Sequence, residues 1–275
     1  MAAPPETARR PVVIKLGGSV ITRKKEVERL RPKLLARLAH EVASCPEVPR
    51  ILLHGAGSFG HPGARRFGLA RAPAAGASAG ERARGAAIVA TEVRRLHLSV
   101  LKELLRAGAA PASIPMATHA RNREGRLAAL DPRPISEALE RGLLPVSFGD
   151  VVPDEAWGAS ILSADTIAVE LARHLAPRRV LFVSDVPGIL EGPPTGRRRV
   201  AAEVTESLVA ALRPPPGAAD VTGGIRGKAE AMLAIARLGV DAGIISGLKD
   251  GELPRAIRGE LVYGSWARAG TDERG

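Results

Sequence analysis

Two hydrophobic rhythms alternate along this chain. Short apolar runs read as buried strands: VVIKL up to Gly17-Gly18, RILL from Arg50 to Leu53, Leu144 to Phe148, RVLFV from Arg179 to Val183, and Ala242 to Ser246. Between them, apolar residues recur at three- and four-residue spacing. Leu30, Leu34, Leu35, Leu38 and Val42 predict a helix from Glu26 to Ala43. Ile88, Val89, Val93, Leu96, Val100, Leu104 and Leu105 predict a long one from Glu81 to Ala107, and further helices are expected at Pro134 to Arg141, Ala164 to Leu175 and Lys228 to Leu238. Ala112 to Met116 is a candidate strand, and Gly125 to Ala129 fits a small hairpin. The Ala/Gly-rich stretch 70–80 has no periodicity and is expected to be a mobile loop; Arg197 to Arg199 is expected as a solvated turn and Pro214 to Pro216 as a loop. Strands alternating with helices predict an α/β fold whose mainly parallel sheet is covered on both faces.

Length narrows this to one large α/β domain or two tightly joined lobes, since the chain has 275 residues. Its single cysteine, Cys45, can form no internal disulfide, which suits a reducing compartment. The start, MAAPPETARRP, has no apolar h-region, and no apolar run reaches the ~18 residues of a membrane span. A cytoplasmic protein is expected. The net charge of +11 raises nucleic acid as a partner, but the arginines are scattered and aromatics are only 3%, too few for a base-stacking surface. A positive field also draws in phosphorylated small molecules.

Candidate chemistry lies in four glycine-bearing turns that follow, or lie near, expected strands. They are KLGGS (Lys15 to Ser19), HGAGSFGHP (His54 to Pro62), SDVPGI (Ser184 to Ile189) and DVTGGIRGK (Asp220 to Lys228). Glycine lets a backbone come close to a phosphate and aim N–H groups at it, and a helix starting just afterwards adds positive partial charge. One such turn is weak evidence; four, two of them with a lysine, form a constellation. Phosphoryl transfer needs positioning and charge neutralisation more than covalent chemistry, so Lys15 and Lys228 could clamp the transferring group from opposite ends of the chain. The plain alternatives are a sheet-edge lysine and a surface lysine. Gly55 to Gly60 also matches G-x-G-x-x-G, yet the acidic residue on a following strand that a dinucleotide site needs is absent from AAGASAGER. Thr222 to Lys228 departs from a P-loop, with Thr222 at its first glycine and Ala229 where Ser or Thr belongs.

Taken in this order, the four turns resemble the amino acid kinase family over about Val12 to Gly270. The resemblance implies an open, mostly parallel sheet sandwiched between helical layers in a single domain. It also implies an acceptor lobe over about 12–150, a nucleotide lobe over about 151–270, ATP as phosphoryl donor and a homodimer. HGAGSFGHP, KLGGSVITRK and the stretch GDVV…WGASILSADTIAVELA are similar to the isopentenyl phosphate kinase branch. By that resemblance Lys15, Gly17, Gly18 and Ser19 meet the ATP phosphates, Lys24 stabilises the transferring group, and Ala56 and Gly57 offer backbone N–H groups. His61 holds the acceptor phosphate and Gly158 lies beside the substrate. Asp165 orients the lysines, Asp185 and Gly188 touch the nucleotide, and Gly224 and Lys228 complete the ATP site.

The residues bear on these roles independently. A phosphate monoester, with a second pKa of ~6, is already a nucleophile at neutral pH, so His61 reads better as a hydrogen-bond donor than as a base. A structural bond is its alternative, and for His54 capping of the strand is the stronger one. Asp165, two residues past Ser163 at an expected helix start, also fits a helix cap, and both roles can coexist. No His, Cys or Asp cluster has metal-cage spacing, so Mg²⁺ would arrive with ATP. Phe67, Ile88, Val89, Ile114 and Met116 are candidates for an apolar acceptor wall, each also explicable as core. The rival functions are a kinase of another phosphate or phosphonate such as fosfomycin, a nicotinamide-dependent oxidoreductase, and a basic binding module.

Overall fold

The computed structural model describes residues 10–23, 26–76, 78–192, 198–212 and 224–270. Its strands are β1 (Val12–Leu16), β2 (Arg50–His54), β3 (Pro111–Ser113), β4 (Ala120–Arg123), β5 (Arg126–Leu130), β6 (Leu144–Phe148), β7 (Asp150–Asp154), β8 (Gly158–Leu162), β9 (Arg179–Ser184), β10 (Leu190–Glu191), β11 (Arg199–Val200), β12 (Asp241–Ser246) and β13 (Gly264–Ala267). The helices are α1 (Gly18–Ile21), α2 (Pro32–Ala43), α3 (Gly57–Arg66), α4 (Ala79–Arg106), α5 (Arg133–Glu140), α6 (Ala164–Leu175), α7 (Glu206–Ala211), α8 (Gly224–Arg237) and α9 (Glu252–Arg258).

Seven strands form the main sheet in the order β13-β12-β9-β1-β2-β6-β3, and every pairing is parallel except that of the edge strand β13 with β12. Alternation along each strand sorts side chains between two cores. Val13, Ile51, Leu53, Val180 and Phe182 pack with Ile167 and Leu171 of α6 and Met232 and Ile235 of α8. Val12, Ile14, Leu16, Leu52 and Leu181 pack on the opposite face, with Leu35 and Leu38 of α2, Leu96 and Leu104 of α4, and Ile257 of α9. Both faces are covered, which is why the central strands read as nearly continuous apolar runs. The expected open, mostly parallel sheet between helical layers is present. Chain order reverses direction around β1, so the loops after β1, β2 and β9 leave the same edge, where ligands bind in open α/β sheets.

Several expectations change. The candidate strand at Ala112 to Met116 is β3, which ends at Ser113, and Met116 begins a short 3-10 turn. The helix expected from Glu26 starts at Pro32, because a residue preceding proline is pushed out of the helical region and Arg31 sits at φ −107°, ψ 77°. The turn expected over His54 to Pro62 becomes the helix α3 from Gly57 onward, with Pro62 inside it. A second sheet, β5-β4-β7-β8, contains the expected hairpin and adds β7 and β8, which the hydrophobic pattern did not announce; α9 and β13 were likewise unforeseen. Arg199 pairs in β11 with Glu191 at 2.7 Å; Arg197 and Pro214 to Pro216 lie outside the described residues.

Candidate active site

Lys15 shares strand parity with Val13, so it leaves the sheet on the face covered by α6 and α8. Those two helices carry Asp165 and Lys228. The Lys15 Nζ lies 2.7 Å from Asp165 Oδ1, and the Lys228 Nζ lies 3.3 Å from Asp165 Oδ2. Lys15 and Asp165 are 6% and 7% exposed, so the contact is made out of bulk water. Ser163 caps α6, its hydroxyl accepting the Thr166 N–H at 3.0 Å, which leaves the Asp165 carboxylate to face the lysines. Lys228 also stands 5.6 Å from the Phe182 ring centroid. Burial, with the neighbouring charge of Lys228, pushes the Lys15 ammonium down to about 8 despite Asp165. Burial alone would raise the Asp165 carboxyl, but the charges of Lys15 and Lys228 outweigh it and hold that group well below the usual carboxylate range. Two cations thus share one carboxylate at the edge of the sheet where the glycine turns gather.

The first two turns touch backbone to backbone. A Cβ on Gly18 would lie 2.4 Å from the Gly57 nitrogen, and one on Gly55 would lie 2.8 Å from the Gly18 nitrogen. Gly57 adopts φ +50°, and a Cβ there would lie 2.2 Å from Thr22 Oγ1. The Gly17 N–H donates to Val183 O at 2.8 Å, tying the first turn to β9. Ser19 reaches across to the third turn, its hydroxyl donating to Asp185 Oδ1 at 2.7 Å. Thr22, fully buried, was not foreseen: it donates to Gly18 O at 2.7 Å and accepts the Ser58 N–H at 3.0 Å. A threonine directly after the apolar pair Val20-Ile21 was the available signal.

His61 is carried by α3 and is half-buried, rather than ending a turn. Pro62 within that helix cannot donate to the Ser58 carbonyl, which instead accepts the Glu28 N–H at 3.1 Å. The Ser58 hydroxyl also accepts the Arg29 N–H at 3.1 Å. Ser58 therefore anchors the segment next to Lys24, which itself lies outside the described residues. Gly158 is exposed in β8 at φ +73° and borders a shallow groove of about 380 Å³ with Ala86, Ala90, Arg94 and Val151. Gly188 is buried, and a Cβ there would lie 2.5 Å from Val200 Cγ1 and 2.7 Å from Ser265 Oγ, so packing accounts for its glycine. Gly224 opens α8 at φ +57°, with Lys228 one turn on; Asp220 to Gly223 lie outside the described residues.

A model of the amino acid kinase family matches residues 10–246. The chain belongs to the amino acid kinase family. Its relatives include an isopentenyl phosphate kinase of Methanothermobacter thermautotrophicus, 32% identical over 92% of this chain and 97% of that one. Another, from Haloferax volcanii, is 36% identical over 90% of this chain and 99% of its own. A crystal structure of an isopentenyl phosphate kinase superposes with a TM-score of 0.82 at 30% identity, covering 94% of this chain and 99% of that chain.

Within this family member, the expected apolar wall divides. Phe67 and Ile88 line a cavity of about 380 Å³ beside α3, together with Phe59 and Pro62. Val89, Ile114 and Met116 are buried core residues. Among the described residues no group of three or more His, Cys, Asp or Glu could hold a metal ion, and no helix is long and apolar enough to cross a membrane.

Proposed function

We propose that this kinase transfers the γ-phosphoryl group of ATP to isopentenyl phosphate, making isopentenyl diphosphate. The observation that carries the reading is the meeting of Lys15 and Lys228 on Asp165 where three glycine turns converge, in a chain whose full-length relatives are isopentenyl phosphate kinases. Residues 12–150 serve the acceptor and 151–270 the nucleotide.

Gly17, Gly18 and Ser19 approach the ATP phosphates through backbone and hydroxyl groups, joined by Asp185, Gly188 and Gly224 on the nucleotide side. Lys15, Lys24 and Lys228 neutralise charge spreading over the transferring group, and Asp165 keeps Lys15 and Lys228 oriented. Ala56 and Gly57 donate N–H groups and His61 donates a hydrogen bond to the acceptor phosphate, with Gly158 alongside. No base is required, since the acceptor is already anionic. Magnesium ion would arrive with the nucleotide and would supply further charge neutralisation. The cavity at Phe67 and Ile88 suits a short apolar tail.

A homodimer in the cytoplasm completes the reading. Leu98 and Leu105, two turns apart on α4 and 52% and 60% exposed, are apolar positions a second copy would cover. A panel of acceptors with Mg-ATP tests the function. Isopentenyl phosphate should be consumed in preference to fosfomycin and to carboxylate acceptors; preference for either of those overturns it. His61→Ala should lose most turnover while ATP still binds, and equal loss of ATP binding would assign His61 a different role.

A further inference from the structure

His54 ends β2 fully buried, and His97 of α4 is 5% exposed. Inside the core His54 stacks on Phe148 at a centroid distance of 5.4 Å, and His97 packs tilted against the same ring at 4.3 Å. The phosphoryl-transfer roles described above use neither. Three polar contacts link them: His54 Nδ1 to Gly55 O at 3.2 Å, His54 Nε2 to His97 Nδ1 at 3.0 Å, and His97 Nε2 to Ser113 Oγ at 2.8 Å.

These partners, with both rings neutral, allow one arrangement of protons. A carbonyl oxygen only accepts, so His54 Nδ1 carries the hydrogen. Burial, together with the charge of Lys15, pushes the His54 imidazole down to about 4 despite that bond, so it is neutral and its Nε2 is a bare acceptor. His97 must then donate from Nδ1. Burial, His54 and Arg94 push His97 down to about 3, so its Nε2 is also bare and accepts the Ser113 hydroxyl hydrogen. Every donor points the same way, from Ser113 at the end of β3 to Gly55 O at the acceptor turn.

The Gly55 carbonyl and the Ala56 N–H belong to one planar trans peptide and point in opposite directions. Pinning the carbonyl toward His54 therefore aims the Ala56 N–H away from the core. The Gly55 N–H is fixed as well, donating to Leu16 O at 2.9 Å. We propose that His54, His97 and Ser113 are positioning residues, a proton-ordered chain that sets the Gly55–Ala56 peptide so that the Ala56 N–H meets the acceptor phosphate. This rests on the acceptor reading given above.

Two measurements test it. Long-range proton–nitrogen NMR of the wild-type protein at neutral pH should show His54 and His97 neutral, each with hydrogen on Nδ1. Ser113, at the exposed end of its strand, can be truncated without opening the core. Ser113→Ala should raise the KM for isopentenyl phosphate about fivefold, the worth of one hydrogen bond, leave the KM for ATP unchanged, and be rescued by Ser113→Thr. An Nε2-protonated or charged ring in the wild type overturns the chain, as does an unchanged acceptor KM in Ser113→Ala. If the wild type ignores isopentenyl phosphate, the acceptor reading fails and the positioning claim with it; the NMR result still decides the proton order by itself.

Discussion

At the binding edge of the sheet Asp165 meets two ammonium groups, whereas at the junction of α2 with α9 two cations meet three carboxylates. There Arg37 contacts Glu41 at 2.6 Å and Asp250 at 3.0 Å and donates to Gly247 O, while Lys249 contacts Glu252 at 2.5 Å. The Gly251 N–H closes the group on Glu41 at 3.0 Å. Glu41 and Glu252 are as buried as Asp165, so burial does not separate the two clusters. Their balance and surroundings do. The α2–α9 cluster carries surplus negative charge, backbone groups complete it, and it fastens a helix to a loop. The Asp165 cluster carries surplus positive charge and is bordered by glycine turns. Two cations on one carboxylate suit an anion, and this is the physical content of the kinase reading.

The strongest way to break the comparison is to remove one cation from each cluster. Lys15→Met should lower kcat/KM about a thousandfold, at the upper end for loss of one charge-stabilising group, with the fold retained by circular dichroism. Arg37→Met should lower the Tm and leave turnover of the folded enzyme at the wild-type level. If Arg37→Met also abolishes turnover without unfolding, the α2–α9 cluster is more than a fastener.

Removing the carboxylates sharpens the contrast in stability. Asp165→Asn leaves two buried ammonium groups facing each other and should cost about 3–5 kcal/mol, as breaking a buried ion pair does. Glu41→Gln leaves Arg37 its contact with Asp250 and should cost only about 1–2 kcal/mol. Urea unfolding reads both. A larger cost for Glu41→Gln would show that the fold depends more on the α2–α9 carboxylate than on Asp165.

Much of this was legible in the sequence, for identifiable reasons. The helix from Ala164 to Leu175 and the strand from Leu144 to Phe148 match from end to end, because strong periodicity coincides with clear caps and turns. The pairing of Lys15 with Lys228 followed from lysines in glycine-rich contexts, whereas the place of Asp165 between them came only from the family resemblance. By contrast, α3 was hidden by Gly57, Gly60, Pro62 and Gly63, residues that usually end helices; here contacts with the first turn and the Glu28 bond hold it. Thr22 and Ser58 are 36 positions apart, and His54 and His97 are 43 apart. Such pairings depend on which helix lies over which strand, and local spacing contains no record of that.

The smallest expected effect concerns pH. Lys15 titrates at about 8, lowered from 10.5 by burial and by Lys228, with Asp165 opposing. Its charged form predominates below that value, and an anionic nucleotide favours the charged form. The kcat/KM for ATP, which reports the free enzyme, should therefore fall above pH about 8, approaching about tenfold per pH unit, while kcat falls only at higher pH because bound phosphates raise the Lys15 value. Stability runs the other way. Between about 8 and 10.5 the unfolded chain holds a proton that the folded enzyme has released, so the contribution of Lys15 to stability rises with pH across that window. Lys15→Arg keeps its charge throughout and should remove the limb even at a lower absolute rate. A limb that persists in Lys15→Arg would move the titration to another group and take from the Asp165 cluster its claim to be the anion-binding one.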